Sequence, residues 1–240
     1  ADAGSGKKPA SGEVLTDYVY SWTNGSGQDT GLRQSVTDKN GARTSYTYDV
    51  LNRLTRAEER SSGGTLLNSW AYSYDASSNR TSQTVNGVTT TYSHNAADQL
   101  TAAGSTSYSY DGNGNELSSS AGRQWSYNAK DQAVSVTPPG ASAISMSYRG
   151  TGQFERVSAG STTYDTSALG LTRENLDAYI RDDAGLLLFR KTPGSGDHYY
   201  LLDGLGSVVG LTNLLGDLVA TYSYEPFGTL KSSTGTVANP

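Results

Sequence analysis

The chain reads as an all-β protein: an array of about ten β-hairpin repeats forming a curved or spiralling antiparallel sheet, a partial shell or solenoid. Three observations predict this. A short motif recurs, aromatic–any–aromatic, then an acidic or amide residue, then a turn rich in Gly and Asn. The composition is that of half-exposed strands joined by tight turns, with 17 Tyr and 28 Gly against 3 Phe and 1 Met. Hydrophobic content is 35%, low for a compact enzyme with one core and one site.

The clear copies are Tyr46-Thr47-Tyr48-Asp49, Tyr72-Ser73-Tyr74-Asp75, Tyr108-Ser109-Tyr110-Asp111 and Tyr222-Ser223-Tyr224-Glu225. Looser copies are Tyr92-Ser93-His94-Asn95, Trp125-Ser126-Tyr127-Asn128 and Met146-Ser147-Tyr148-Arg149, with a degenerate first copy at Tyr18-Val19-Tyr20-Ser21. Further phase markers fall at Tyr164, Arg181 and Leu202. Successive markers lie roughly 16 to 26 residues apart, the length of one β-hairpin.

Within each copy the two aromatics sit two apart and share one face of a strand. The following Asp or Asn accepts backbone N–H groups and starts a turn. Asn52 and Gly114 supply its left-handed position. Leu54, Leu100 and Leu117 lie early in the return strands. The opposite ends close at Asp38-Lys39-Asn40-Gly41, Asn86-Gly87 and Gly104-Ser105. Tyr rows from successive repeats are expected to stack ring on ring. Helix signals are scarce; the best is a single short turn over Thr172-Arg173-Glu174-Asn175-Leu176.

Composition excludes several functions. The net charge of −5 comes without a basic stripe, which argues against nucleic acid as a partner. No apolar run reaches the ~18 residues of a membrane helix, so membrane insertion is not expected. With no Cys and two His, a disulfide framework and a zinc site are not expected. No cofactor or metal is expected.

Each candidate for chemistry has a plainer structural reading. His94 replaces a repeat Tyr, and His198 precedes Tyr199-Tyr200 at a strand start; both read as packing residues. Asp111-Gly112-Asn113-Gly114-Asn115-Glu116 faintly resembles a calcium loop, but its sixth position is Glu116 and its twelfth is Gly122. Ser207 lacks a Gly-x-Ser-x-Gly elbow. Asp182-Asp183 could be a carboxylate pair for glycoside chemistry, but beside Ala184-Gly185 it reads as a hairpin turn. Asn24-Gly25-Ser26 and Asn79-Arg80-Thr81 fit the glycosylation pattern. Trp22, Trp70, Trp125 and exposed Tyr residues could line a sugar-binding groove, against the plainer reading of stacking rows.

The Tyr-x-Tyr-Asp unit with its Gly/Asn turn resembles the YD repeat of Rhs proteins. Tyr199-Tyr200-Leu201-Leu202-Asp203-Gly204-Leu205-Gly206-Ser207-Val208 is similar to the segment that opens the Rhs-associated core region. Tyr222-Ser223-Tyr224-Glu225-Pro226-Phe227-Gly228 follows it, with Glu225 where the family more often has Asp. The resemblance covers about residues 14 to 230. It implies that Tyr46, Tyr48, Asp49, Tyr72, Tyr74, Asp75, Tyr108, Tyr110, Asp111, Trp125, Tyr127, Asp203, Gly206, Tyr222, Tyr224, Pro226 and Gly228 are structural repeat positions, and that none is catalytic.

The resemblance also implies a function. YD-repeat chains of Rhs toxins and of the cocoon subunits of toxin complexes spiral into a hollow shell around a toxin domain. In teneurins a similar shell serves cell adhesion. The expected division is a flexible lead-in at 1–13, a repeat array at 14–170, Rhs-core-like repeats at 171–230 and a tail at 231–240. The toxin-bearing members continue into a motif whose aspartates cut the toxin free. This chain ends at Pro240 without it, so no protease residue carries over, and a piece of a longer polypeptide or a shortened relative is expected.

The first functional expectation is a non-enzymatic scaffold: a segment of a secreted Rhs-type shell that encloses or presents an effector domain. Its partner would be that domain or the rest of its own polypeptide, in a bacterial secreted or cell-surface setting. The alternative is an adhesion or filament module that self-associates through exposed strand edges. A glycan-acting enzyme is the least favoured reading.

Overall fold

The structure, a computed structural model, describes residues 14–149, 155–194 and 196–237. The expected lead-in at 1–13 lies outside the described residues. Among the described residues twenty-two strands form an antiparallel meander, an array of hairpins. In chain order they are β1 (Tyr18–Ser21), β2 (Ser35–Asp38), β3 (Arg43–Tyr48), β4 (Leu54–Arg60), β5 (Leu66–Tyr74), β6 (Arg80–Val85), β7 (Val88–His94) and β8 (Leu100–Ala103). There follow β9 (Thr106–Tyr110), β10 (Glu116–Ser119), β11 (Gln124–Tyr127), β12 (Ala133–Thr137), β13 (Ile144–Arg149), β14 (Glu155–Ala159) and β15 (Thr162–Ser167). The last are β16 (Gly170–Glu174), β17 (Asp177–Arg181), β18 (Leu187–Lys191), β19 (His198–Leu202), β20 (Val208–Thr212), β21 (Leu218–Tyr224) and β22 (Leu230–Gly235).

The chain divides into two compact units. A central unit comprises Ser45–Arg60 and Leu66–Thr163. A terminal unit comprises Ala1–Thr44, Ser61–Thr65 and Tyr164–Pro240. This division is discontinuous in sequence.

Two kinds of turn build the meander. Most turns that follow a Tyr-x-Tyr strand span five residues. At Asp49, the Asp49 N–H donates to the Arg53 carbonyl at 3.0 Å and the Asn52 N–H donates to the Asp49 carbonyl at 3.0 Å. The fourth residue takes the left-handed conformation, as at Asn52 (φ 62°) and Gly114 (φ 93°). This is a type I turn closed by a bulge, the usual form when a hairpin loop exceeds two residues. The strand register accordingly slips just before the turn, between Ser73 and Tyr74, Ser126 and Tyr127, and Ser223 and Tyr224. Asn86-Gly87 is a two-residue turn, with both residues at positive φ (49° and 87°) between paired Val85 and Val88. Such a turn matches the right-handed twist of the strands.

Two expectations are corrected. Thr172-Arg173-Glu174 does not form a helical turn: it lies in β16, with Arg173 opposite Asp165, and Asn175-Leu176 is a two-residue hairpin turn with Asn175 at φ 51°. Sheet pairing satisfies this backbone more completely than one isolated helical turn would. Tyr164-Asp165 starts no turn either, because both residues lie inside β15, opposite Glu174 and Arg173.

Each unit has its own core. In the central unit Ala57, Trp70 and Tyr72 are buried, with Tyr46, Leu54, Tyr74 and Val85 packed against them. In the terminal unit Tyr200, Leu211, Ala220 and Tyr222 are buried, flanked by Leu187, Leu202, Val208 and Tyr224. The β1–β2 hairpin belongs to the same unit. The Gly204 N–H donates to the Tyr20 hydroxyl at 2.8 Å, across 184 residues of sequence. A Cβ at Gly204 would stand 2.9 Å from the Tyr20 ring, so the Asp203 turn meets the first hairpin only because this position lacks a side chain.

Candidate functional site

The candidate site is the repeat ladder itself, which is distributed along the chain. Its first part is the acidic turn. Asp49 Oδ1 accepts the Leu51 and Arg53 N–H groups at 2.9 and 3.0 Å. Asp111 Oδ1 accepts Asn113 and Asn115 N–H, both at 2.9 Å. Asp75 takes the Asn79 N–H at 2.8 Å. Asp203 takes Leu205 and Ser207 N–H at 2.8 and 2.9 Å. Asn95 and Asn128 make the same pair of contacts through their amide oxygens. A single side-chain oxygen therefore satisfies two backbone donors that the turn would otherwise leave open. Hydrogen bonds to the ionised form favour it and lower the pKa. The Asn115 side chain and then its N–H hold Asp111 below the ordinary carboxylate value, and the Arg53 N–H leads the same effect at Asp49.

These contacts also answer the plainer candidates. Asp111 Oδ2 is taken by Asn115 Nδ2 at 3.0 Å, so the loop that resembled a calcium site is engaged with its own backbone and amide. Among the described residues no group of three or more His, Cys, Asp or Glu is placed to hold a metal ion. Asp182 makes the turn contacts, accepting Ala184 and Leu186 N–H at 3.0 and 2.8 Å. Asn79 Nδ2 donates to Asp98 Oδ1 at 2.7 Å, so the side chain of that glycosylation motif is already engaged.

The second part is the second tyrosine of the motif. Tyr74 OH donates to the Leu54 carbonyl at 2.7 Å, and Tyr110 OH to the Leu100 carbonyl at 2.7 Å. Tyr127 OH donates to Glu116 at 2.9 Å, Tyr148 OH to Ala133 at 2.8 Å, and Tyr224 OH to Val208 at 2.7 Å. Every acceptor is the first residue of the preceding strand, just after the preceding repeat's turn. The bulge turns each tyrosine toward that carbonyl, and the hydroxyl couples one repeat to the one before. Burial pushes the Tyr74, Tyr110 and Tyr127 phenols up, which keeps them protonated donors.

The ring contacts Tyr18–Tyr20 (6.3 Å) and Trp125–Tyr127 (6.5 Å) lie within single strands. Phe189–Tyr199 (4.9 Å) joins β18 to β19. Tyr108 is half-buried on the strand face it shares with Tyr110. Trp70 is buried at 3% exposure and cannot line a sugar groove, whereas Trp22 is 45% exposed.

The third part was not legible in the motif: a lateral ladder joining neighbouring turns of the central unit. The last residue of one turn donates to the left-handed residue of the next. Arg53 Nη1 reaches Ser78 Oγ at 3.2 Å and also the Asp75 carbonyl at 2.9 Å. Asn79 Nδ2 reaches Asp98 Oδ1, and Asn115 Nδ2 reaches Asp131 Oδ1 at 2.9 Å. Ser78, Asp98 and Asp131 all hold positive φ (72°, 58° and 59°). Arg53 further pairs with Asp49 at 2.7 Å and lies 4.8 Å over the Tyr74 ring. In the terminal unit the corresponding left-handed residues are glycines, including Gly206 (φ 82°) and Gly228 (φ 87°). Pro226 and Phe227 fill the Glu225 turn, with Phe227 55% exposed.

The arrangement contains backbone-satisfying carboxylates, donor phenols and lateral amides. A search of curated proteins finds no significant match. Among solved structures the chain is similar to a TcdB2-TccC3-Cdc42 complex, at 12% identity and TM-score 0.46, over 90% of this chain and 16% of that one. It is also similar to a TcdB2-TccC3-TEV complex (15%, TM-score 0.39, 95% and 16%). A third likeness is to a Photorhabdus luminescens Tc holotoxin pore with a TccC3 substitution (15%, TM-score 0.36, 89% and 15%). The chain therefore spans about a sixth of the length of these structures. The Teneurin YD-shell family profile matches residues 30–239, and the chain belongs to that family.

Proposed function

We propose that this chain is a structural wall segment of a secreted YD-shell that encloses or presents an effector domain, and that the repeat positions named above are its framework. The observation that carries the reading is the tyrosine hydroxyl ladder. It couples the repeats of Tyr74, Tyr110, Tyr127, Tyr148 and Tyr224 each to the one before through a backbone carbonyl, and engages those phenols in structure. The repeats at 14–170, the Rhs-core-like segment at 171–230 and the tail at 231–240 are proposed as successive parts of one wall, in a bacterial secreted or surface setting. Its partner is then the enclosed domain or the rest of its own polypeptide. Reading the gene on both sides of this segment tests the proposal directly. A continuation into more core and an unrelated terminal domain supports it, and protease protection of that domain in the native full-length protein should follow. A neighbouring anchor or a long run of further repeats without an effector domain would overturn it.

One observation favours a second reading, an adhesion or filament module. β1 and β22 are the first and last described strands, paired with β2 and β21, and in this reading their outer edges are left for a second chain. Such edges template pairing with another chain. Light scattering over a concentration series distinguishes the two: growing assemblies support the filament reading, and a strict monomer sinks it.

A further inference from the structure

The terminal unit holds a buried polar cluster that the repeat chemistry does not use. His198 opens β19 directly opposite Arg190 on β18, and Tyr179 on β17 lies opposite Arg190 on its other side. All three are buried, with His198 7% and Arg190 8% exposed. Tyr200, two residues on, shares the His198 face and is also buried. The β19–β20 register pairs Tyr199 with Thr212, which sets the Asn213–Asp217 turn at the end of β19 where His198 sits. Asp217 is 5% exposed. His198 Nδ1, the Tyr200 hydroxyl and Asp217 Oδ1 are each buried with no hydrogen-bond partner among the described residues. Such orphaned groups are uncommon in a closed core and ask for an explanation.

The charges around His198 decide what a proton would do there. Arg190 opposes it across the strand pair, while Asp197 immediately before it and Asp177 on β17 attract it more weakly; the Asp217 carboxylate at the same end of β19 accepts from Asn213 Nδ2 at 3.0 Å through Oδ2. Asp197 Oδ1 also faces the Thr192 N–H at 3.3 Å. Tyr179 OH donates to Glu174 Oε2 at 3.1 Å, so that carboxylate is engaged at the far side of the cluster.

We propose that His198 is an acid-sensitive latch of the terminal unit: a proton on its imidazole adds a second positive charge to the closed face opposite Arg190 and loosens β18, β19 and β20, while the central unit keeps its packing. Burial, then Arg190, hold this imidazole below its ordinary value. The sign follows from linkage. The unfolded chain takes up the proton as pH falls through about 6.5. Stability is therefore present above that value and is lost as pH falls from there toward the folded value, with the opening constant rising by up to about tenfold per pH unit. The turn carboxylates Asp49 and Asp111 are held below ordinary carboxylate values and act in a more acidic window.

Hydrogen exchange of the whole chain at pH 7.5 and 5.5, corrected for intrinsic rates, tests this on wild type, His198→Gln and His94→Gln. Amides of β18–β20 should open several-fold more readily at pH 5.5 in wild type and in His94→Gln, and show no such change in His198→Gln. Amides of β4–β7 should not follow. An equal acid response in His198→Gln, or opening that begins in the central unit, overturns the proposal. Should His198→Gln fail to fold, NMR titration of wild-type His198 decides: an ordinary imidazole value overturns it, and a depressed one coincident with β19 opening supports it.

Discussion

The central and terminal units differ in which residues they place at the left-handed position of the same turn. In the central unit Asn52 and Gly114 hold the left-handed position in two turns, and in three others it falls to Ser78, Asp98 and Asp131, a less favourable choice than glycine. Each carries a side-chain oxygen that accepts from the neighbouring turn. In the terminal unit Gly185, Gly206, Gly216 and Gly228 adopt the conformation without strain but offer no acceptor. Leu186 occupies the position of Asn79, and its Cδ2 would lie 3.7 Å from a Cβ on Gly206. The turn tips there are apolar and exposed, as at Leu205 (65%) and Phe227 (55%). The difference teaches that the motif specifies a turn geometry, while lateral coupling between turns is a separate choice made by two further positions.

The cores give the largest test. Trp70→Ala should cost about 4 kcal/mol, because a buried indole leaves a cavity a thin sheet cannot refill. Urea denaturation followed by hydrogen exchange should show the loss in the central unit first. Equal loss in both units would mean that the two are not separate cooperative bodies.

The tyrosine ladder comes next. Tyr110→Ala should cost on the order of 3 kcal/mol through lost packing, and Tyr110→Phe about 1 kcal/mol through the orphaned Leu100 carbonyl. A Phe variant as damaging as Ala would show that the hydroxyl, not the ring, dominates. A Phe variant with unchanged stability would remove the hydroxyl coupling from the account.

Exchanging the turn solutions tests the comparison itself. Gly206→Ala should cost about 1–2 kcal/mol from backbone strain alone, since the added methyl meets Leu186 at an ordinary distance. Asp98→Gly gives up the Asn79 contact but relieves the strain, and should change stability by less than about 1 kcal/mol. A large loss at Asp98→Gly would make the lateral ladder a principal source of stability. The smallest effect is expected at an exposed tip: Leu205→Ser should stay within about 0.5 kcal/mol, and a larger drop in melting temperature would show that the apolar tips pack against one another.

Much of this was legible because it is local. The Asp49 turn needs only an acceptor at one position and a residue tolerant of positive φ three places on, and both can be read from Asp49 and Asn52. The hairpin at Asn86-Gly87 follows from the same kind of rule. The Thr172–Leu176 segment was misread because its helical propensity was weighed without the strands on either side. Arg53 illustrates what stayed hidden: its contact with Asp49 lies within one turn, but only the sheet brings it beside the Asp75 carbonyl, Ser78 and the Tyr74 ring.

The sequence by itself determined the period, the antiparallel hairpin array and the chemistry of the turns, because alternation and turn propensity act over a few residues. Tertiary structure decided which carbonyl each tyrosine reaches, that Gly204 must yield to Tyr20 from 184 residues away, and that His198 is closed in opposite Arg190. Those contacts depend on strand register and on burial, and both are properties of the assembled sheet rather than of any stretch of the chain.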